Sequence, residues 1–462
     1  MSIKKGEIVE LDIRALAFGG RGIGRKDGFV VFVRNTAVGD RVRARVFKKR
    51  KGFGEAEIVE ILSPSPDRVE PPCPYSGYCG GCQWQHIRYE RQIHYKREHV
   101  LEALSRIGGI HGVTVHPTIP SSRTFGYRNK MEFSFSDRRW FLPHQLDGKG
   151  RGEYFALGLH VPGVFYKVID VEACLLQGRR GNELLGRVRD FAESSGLPVY
   201  GLKTHRGFWR YLVLRYSDAL DQWMVNLVTS ENNPAVLEPL AETLCREFGR
   251  SVTVVNNINR GKASVAVGQE EVVLCGSGAL EDRIGPFSFR ISANSFFQTN
   301  TPGAEVLYRK VVDYAELRPN DRVLDLYCGT GTIAIFVSRR VRRVTGLEIS
   351  ASAVADAEKN CLANGVENCL FVPGDIRETL GTLTERPDVL IIDPPRAGMH
   401  KDVLRRVRDL GAPRLVYVSC NPATMARDLE ELAGVYEPLE IQPVDLFPHT
   451  YHIEAVARLQ LR

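Results

Sequence analysis

From about residue 300 onward, short apolar runs alternate with amphipathic ones, and no other feature narrows the fold of this chain as much. The apolar runs predict strands at Arg322 to Tyr327, Arg343 to Leu347, Cys369 to Val372, Val389 to Ile392 and Leu415 to Ser419. Helical stretches such as Ala351 to Asn364 and Lys401 to Leu410 lie between them. Strand, crossover helix, strand is the signature of a doubly wound parallel α/β sheet. The first strand runs into Gly329-Thr330-Gly331, where absent side chains let a ligand approach the backbone. Seventeen residues past Gly331 the second strand ends in an acid, Glu348, placed to accept hydrogen bonds from ribose hydroxyls. A dinucleotide-binding domain reads similarly, but Asp325 tips the choice. A carboxylate just before the loop repels a pyrophosphate and suits the cationic amino-acid end of S-adenosylmethionine. Asp375, at the end of the third strand, is either a partner for the adenine or a plain helix N-cap ahead of Ile376.

The fourth strand ends in Asp393-Pro394-Pro395-Arg396, at the carboxyl edge where open α/β sheets place their ligands. Methyltransferases of exocyclic amino groups carry an aromatic after the two prolines, to stack on the base. Arg396 stands there instead, so a substrate needing another kind of activation is expected. Val418-Ser419-Cys420-Asn421-Pro422 supplies it, with a cysteine where a strand meets a helix start. C5 of uracil is too weak a nucleophile to take a methyl group unaided, and thiolate addition at C6 makes it enolate-like. With Asn421 as cap and Pro422 at the first helical position, the helix dipole is expected to stabilise the Cys420 thiolate. A base must then remove the C5 proton. Glu454 in His452-Ile453-Glu454-Ala455-Val456-Ala457 is the candidate, on a late strand whose apolar neighbours raise its pKa. A charged residue at a strand end is the alternative reading for Glu454, and a small buried hydrophobe for Cys420.

Residues 3 to 62 alternate strongly, through Ile8 to Ile13, Phe29 to Val33, Val42 to Phe47 and Ile58 to Leu62, with glycines between the runs read as turns. A small five-stranded barrel of the kind that binds nucleic acid is expected. Arg41, Arg43, Arg45, Lys48, Lys49, Arg50 and Lys51 place seven positive charges in eleven residues. Arg41, Arg43 and Arg45 alternate with Val42, Ala44 and Val46, so a strand turns the guanidinium groups to solvent, where they suit a phosphate backbone or keep a strand edge charged. Ser63-Pro64-Ser65-Pro66 and Pro71-Pro72 then form a stiff connector.

Three cysteines follow, Cys73, Cys79 and Cys82, with Cys174 as a fourth candidate. Close-set cysteines in a cytoplasmic protein suit a metal better than disulfides, and the five-then-two spacing departs from zinc ribbons and favours an iron-sulfur cluster. For any one of the remaining six, Cys245 and Cys275 among them, a small buried hydrophobe is the default reading. At 462 residues, 43% hydrophobic and 25% charged, the chain is long and apolar enough for two or three cored domains. No window approaches the roughly 18 uncharged apolar residues of a membrane span, and a soluble cytoplasmic protein is expected. A net charge of +7 is weak support by itself for a polyanionic partner.

Together these motifs resemble the RNA uridine-C5 methyltransferases, most closely the branch with an N-terminal TRAM barrel and a 4Fe-4S cluster that modifies 23S ribosomal RNA. The resemblance rests on segment 3 to 62, the cysteine motif, Ser295-Phe296-Phe297-Gln298-Thr299-Asn300, the Asp-Pro-Pro-Arg turn, Ser-Cys-Asn-Pro and the final His-Ile-Glu, and it covers essentially the whole chain. It implies Cys420 as nucleophile and Glu454 as proton acceptor. It also implies that Gln298, Tyr327, Glu348, Asp375 and Asp393 line the S-adenosylmethionine pocket, and that Cys73, Cys79, Cys82 and Cys174 hold the cluster. Thr332 stands where the family often has Asn and is assigned no role. RNA contacts are expected from Arg41, Arg43, Arg45 and Lys48, and from Arg128 and Lys130, which in the segment Tyr127 to Phe133 read equally well as solvated residues of a half-buried strand. The implied architecture is a TRAM (OB-like) barrel over 1–62, a linker over 63–72, a central α+β cluster domain over 73–295 and a Rossmann-like methyltransferase domain over 296–462. A monomer acting on 23S ribosomal RNA, and not on DNA or at a membrane, is expected. A tRNA T-loop uridine is the alternative substrate. A non-catalytic RNA-binding or ribosome-assembly protein is a further alternative. A radical methylthiotransferase is excluded by the absence of its three-then-two cysteine spacing.

Overall fold

In the computed structural model, which describes residues 3–146, 154–383 and 385–462, the C-terminal sheet has eight strands. Five are parallel, in the order Cys369–Pro373, Arg343–Glu348, Arg322–Leu326, Val389–Ile392 and Arg414–Ser419. Glu454–Leu461 then runs antiparallel beside Arg414–Ser419, and Tyr436–Val444 antiparallel beside Glu454–Leu461. The strands are apolar throughout because both faces are buried. Val323, Val389, Ile391, Val416, Val418 and Val456 pack to one side, and Leu324, Leu326, Leu390, Ile392, Leu415 and Tyr417 to the other.

Two earlier segments complete these layers. The hairpin Ala279–Ile284 and Phe287–Ser292 packs Ile284, Phe287 and Phe289 into the first. Helix Tyr89–Arg106 packs Val100, Ala103 and Leu104 into the second, and the short strand Thr114–Val115 joins the sheet edge beside Tyr436–Val444. Packing therefore crosses the 295/296 division expected from sequence. The other part of the central region is a seven-stranded sheet running from Val164–Asp170 to Glu270–Cys275, with helices Arg179–Ser194 and Pro234–Phe248 packed on it. Cys245 and Cys275, expected as separate buried hydrophobes, are bonded to each other between that second helix and the last strand.

The N-terminal sheet has six strands, not five. Beside the four runs named from sequence it holds two more strands, Ala15–Leu16 and Gly22–Lys26, in the stretch whose glycines read as turns. Gly22 lies within a strand because a Cβ there would meet Thr36 Oγ1 at 2.1 Å and Ile13 Cγ2 at 2.7 Å. Glycine marks close packing here, a meaning period alone does not separate from a turn. The connector is docked: Arg68 Nε donates to buried Asp40 at 2.8 Å, and Ser65 N donates to the same carboxylate at 2.9 Å.

The loop leading to Glu454 is clamped from far away in sequence. Lys96, on helix Tyr89–Arg106, donates to Asp445 at 2.6 Å, both side chains fully buried, and to the Phe447 carbonyl at 3.0 Å. Tyr89 donates to the other Asp445 oxygen at 2.8 Å, and Gln92 Oε1 accepts from His449 N–H at 2.8 Å. Truncating one member of a buried pair leaves an uncompensated charge, at a cost of about 3–5 kcal/mol. Lys96→Met is expected to lower the melting temperature markedly, and the double variant Lys96→Met/Asp445→Asn to recover part of the loss. Equal melting of Lys96→Met and wild type in a thermal scan contradicts the clamp.

Candidate active site

The strand Arg322–Leu326 ends in a tight turn through Tyr327, Gly329 and Gly331, all at positive φ. Glu348 fixes the turn, accepting from Gly329 N–H at 3.1 Å and from Ser350 N–H at 2.8 Å. The two glycines differ in purpose. A Cβ on Gly329 would meet nothing within 4 Å, so open space borders the loop there. One on Gly331 would meet the Phe371 ring at 2.8 Å and Ala357 at 2.9 Å, so that glycine serves helix packing and not ligand approach. Asp375 is the N-cap of Ile376–Thr379, accepting from Arg377 N–H at 2.9 Å, and the Arg377 guanidinium holds its carboxyl down at about 2. The cap is present, and capping leaves the adenine reading open. Gln298 is half-buried, and its carbonyl accepts from Asn129 Nδ2 at 2.9 Å. Phe296, two residues earlier, is 70% exposed. Thr332 bonds the Tyr308 hydroxyl at 2.9 Å.

Three acids converge at the carboxyl edge of this sheet. Asp325 is fully buried and neither of its carboxylate oxygens has a hydrogen-bond partner among the described residues. Burial first and Asp393 second raise its pKa well above the carboxylate range. Asp393 is pushed up to about 6 by burial. Glu454 is raised well above its usual value by burial and then by Asp393, with Arg396 and Lys96 opposing. An orphaned carboxylate of this kind calls for a cation, and S-adenosylmethionine carries an ammonium and a sulfonium. The residues present fit that donor.

Cys420 and Glu454 meet through strand register. Ser419 pairs with Ala455 in the antiparallel ladder, so the next step outward sets Cys420 opposite Glu454. Asn421 caps helix Pro422–Leu432, accepting from Ala423 N–H at 3.1 Å, and its Nδ2 donates to the Arg396 carbonyl at 3.0 Å. The thiol is not the stabilised thiolate expected from its place before a helix. Burial, then Glu454, push it up to about 11, against the pull of Arg396, whose side chain bonds it. Desolvation and a nearby carboxylate both disfavour the charged form, so the thiol is the favoured form at neutral pH. Sequence reasoning had noted Arg396 only as the residue in place of an aromatic, and had no signal for Lys96 or Asn129.

Cys73, Cys79, Cys82 and Cys174 carry free thiols and line one cavity of about 410 Å³. Burial first, with neighbouring thiols adding, pushes Cys79 and Cys82 up to about 12. Among the described residues no three His, Cys, Asp or Glu side chains gather to hold a single ion. Arg128 and Lys130 line the same cavity instead of standing free on the surface, and Lys130 pairs with Glu132 at 2.7 Å. The barrel row is exposed in alternation as expected, but on an inner strand, Arg41–Lys49, not at an edge. Arg41 pairs with Glu10, Arg43 with Glu60 and Lys48 with Glu55, and Arg45 makes no ion pair among the described residues. No described helix is long and apolar enough to cross a membrane.

Since Arg396 lowers the Cys420 pKa, Arg396→Ala is expected to move alkylation of Cys420 by iodoacetamide to higher pH. Peptide mass spectrometry across a pH series reads this. In the wild type the rate is expected to climb toward pH 11; a plateau at about 8.5, the value of a free thiol, contradicts the electrostatics described.

Comparison with known proteins bears on this site directly. The tRNA (Uracil-5-)-methyltransferase family profile matches residues 250–386 and 384–462, and the TRAM domain profile matches 3–59. An RNA methyltransferase of Chlorobaculum tepidum is 43% identical over 98% of this chain and 96% of its own length. One from Halalkalibacterium halodurans is 36% identical over 100% and 98%. Among solved structures, the Pyrococcus abyssi tRNA (uracil-54, C5)-methyltransferase in complex with S-adenosyl-L-homocysteine is 30% identical, with a TM-score of 0.77, over 97% of this chain and 99% of that one. With the convergent acids, the glycine turn and the cysteine at the sheet edge, these likenesses establish that the chain belongs to the tRNA (uracil-5-)-methyltransferase family and is an S-adenosylmethionine-dependent RNA (uracil-C5)-methyltransferase carrying an N-terminal TRAM domain.

Proposed function

We propose that this enzyme methylates C5 of a specific uridine in 23S ribosomal RNA, in the cytoplasm and as a monomer, through a covalent bond between Cys420 and C6. The observation that carries the covalent route is the register that sets Cys420 opposite Glu454 beside Arg396. The target uridine, flipped from its stack, lies between the two side chains. Its arrival excludes water and brings an acceptor for charge, and Arg396 lowers the cost of forming the thiolate. Before the site closes, the Cys420 thiol and the Glu454 carboxyl each release a proton to bulk water, the first favoured by Arg396 and the second by the cationic donor. The Cys420 thiolate then adds to C6, and the C5–C6 electron pair moves to C5 and the O4 carbonyl. The donor, when bound, supplies an electrophilic methyl group, which C5 takes. Glu454 then removes the C5 proton as an ionised carboxylate, the C5–C6 double bond re-forms, and the Cys420–C6 bond breaks. Asp325 and Asp393 offer negative charge to the cationic donor, Glu348 holds the glycine turn, and Gln298, Tyr327 and Asp375 complete the pocket.

A 4Fe-4S cluster on Cys73, Cys79, Cys82 and Cys174 fits the four-thiol cavity, and Arg128 and Lys130 on its wall suit the negative charge of a thiolate-bound cluster. Methyl transfer requires no electron, so the cluster's contribution is structural. The division into 1–62, 63–72, 73–295 and 296–462 is kept as a proposal for the order of units along the chain. The TRAM barrel together with the cysteine motif favours ribosomal RNA, while likeness to the Pyrococcus abyssi enzyme favours a second reading, a tRNA uridine.

Anaerobic incubation with labelled S-adenosylmethionine and separate 23S ribosomal RNA and tRNA pools, followed by nucleoside mass spectrometry, decides between them. Methylated uridine only in tRNA overturns the ribosomal reading. Cys420→Ala is expected to lose turnover by at least about a thousandfold while still binding RNA, and Glu454→Gln to accumulate protein–RNA adduct; normal turnover by Glu454→Gln means another base. Iron and acid-labile sulfide in equal amounts are expected in anaerobically prepared protein and are expected to fall together in Cys82→Ser. Protein with neither removes the cluster from the account.

A further inference from the structure

The barrel arginines are largely neutralised by glutamates, yet elsewhere the chain has a basic surface with few counter-ions among the described residues. It borders a cavity in the central region, at the far end of strand Lys130–Ser136 from the cysteines. The cavity is walled by Tyr166, Tyr200 and Tyr211, with Arg138 and Lys203 beside it and Arg210 at its base. Loop 201–207 carries Lys203 and Arg206 exposed to solvent, and neither makes an ion pair among the described residues. Lys262 is likewise exposed and unpaired there. It lies between Gly261 and Ala263, whose carbonyls accept from Arg210 Nη1 at 2.7 Å and Nη2 at 2.8 Å. Among the described residues Asp137 is the one acid on the cavity wall, 3.9 Å from Arg138.

The cavity is also built to hold something polar. Arg210 is 3% exposed and lies over the Tyr200 ring at 4.0 Å, with Nη1 bonded to the Asn259 carbonyl at 2.6 Å. Its Nε–H has no partner among the described residues, and neither does Nδ1 of His160, whose Nε2 bonds Ser134 Oγ at 2.9 Å. Tyr211 presents its hydroxyl to Ser264 Oγ at 2.6 Å. Aromatic faces, unsatisfied buried polar atoms and unpaired cations around one concavity are what a single-stranded nucleic acid uses, stacking a base while its phosphates follow the positive charge.

We propose that this cavity is a second RNA subsite, which holds one unstacked base of the substrate strand against Tyr211 while Lys203, Arg206 and Lys262 take the flanking phosphates. The assignment rests on the RNA methyltransferase function. The strand joining the two places gives the span: its seven residues, at about 3.3 Å each, set the cavity roughly 20 Å from Asn129, whose side chain bonds the Gln298 carbonyl. Several nucleotides of one extended strand bridge that distance. The subsite therefore reads the RNA next to the target uridine and not the uridine itself.

The test uses the full-length protein and three probes: a single-stranded RNA substrate fragment, a duplex RNA of the same length, and uridine monophosphate. The Lys203→Ala/Arg206→Ala variant is expected to bind the single strand about tenfold more weakly, and to lower the slope of log K against log salt by about 1.4, two phosphates at about 0.7 each. Tyr211→Ala is expected to weaken binding about tenfold with an unchanged slope, and Tyr211→Phe to bind as wild type does. Melting temperature and S-adenosylhomocysteine affinity serve as checks on folding. If the wild type methylates RNA while both alanine variants keep its affinity and slope, the subsite alone is overturned. Equal losses on duplex RNA overturn the stacked base, and tight binding of uridine monophosphate at Tyr211 makes the cavity a nucleotide site instead. A wild type that methylates no uridine overturns the function and the subsite with it.

Discussion

Three carboxyl groups, Asp325, Asp393 and Glu454, gather at one edge of the sheet, Asp325 and Glu454 buried and Asp393 half-buried, with Arg396 and Lys96 opposing the upward shift of Glu454. Burying an ionised acid without a partner is costly, so the groups answer by holding their protons. A cationic donor beside Asp325 would add further stabilisation. The same low-dielectric surroundings push the Cys420 thiol up to about 11. Under the proposed mechanism, the donor's charge and Arg396 are what offset the cost of ionising Glu454 and Cys420.

Geometry at that edge is imposed from a distance. The final strand is antiparallel to its neighbour, and this reversal sets Cys420 across from Glu454. The loop before Glu454 is held by Lys96, Tyr89 and Gln92, and Tyr127 donates to the Pro448 carbonyl at 3.1 Å. Asn129 ties the central sheet to the 298–301 segment, donating to the Gln298 carbonyl and to Thr301 Oγ1. Since Thr299 also lines the four-cysteine cavity, that cavity and the 298–301 segment share a wall. Segments long before the methyltransferase sheet in sequence are therefore part of how its edge is shaped.

Much of this was legible in the sequence, for reasons that can be named. Parallel strands buried on both faces leave unbroken apolar runs, so all five were found to within one or two residues. Cys420 stood out because a strand end, a cap and a proline coincide there. Gly22 was misread because the reason for it is Thr36, a neighbour in space. The exposure of Arg41 and Arg43 followed from period two, while their partners Glu10 and Glu60 lie on adjacent strands whose register the sequence does not state. Lys96 and Asp445 are 349 residues apart, and a lone lysine in an amphipathic helix reads as solvated. The direction of the Cys420 shift also depends on burial, which only the fold supplies.

The central claim is that Cys420 bonds to C6 of the target uridine and Glu454 releases it by taking the C5 proton. A substrate RNA with 5-fluorouridine at the target position has no proton to give, so the reaction should stop at the adduct after methyl transfer. Mixing it with enzyme and S-adenosylmethionine, then digesting and sequencing the RNA-linked peptide by mass spectrometry, reads the outcome directly. A stable, donor-dependent adduct on Cys420 carrying the added methyl is the result predicted here. An adduct on another residue, or a methylated product released without one, contradicts it.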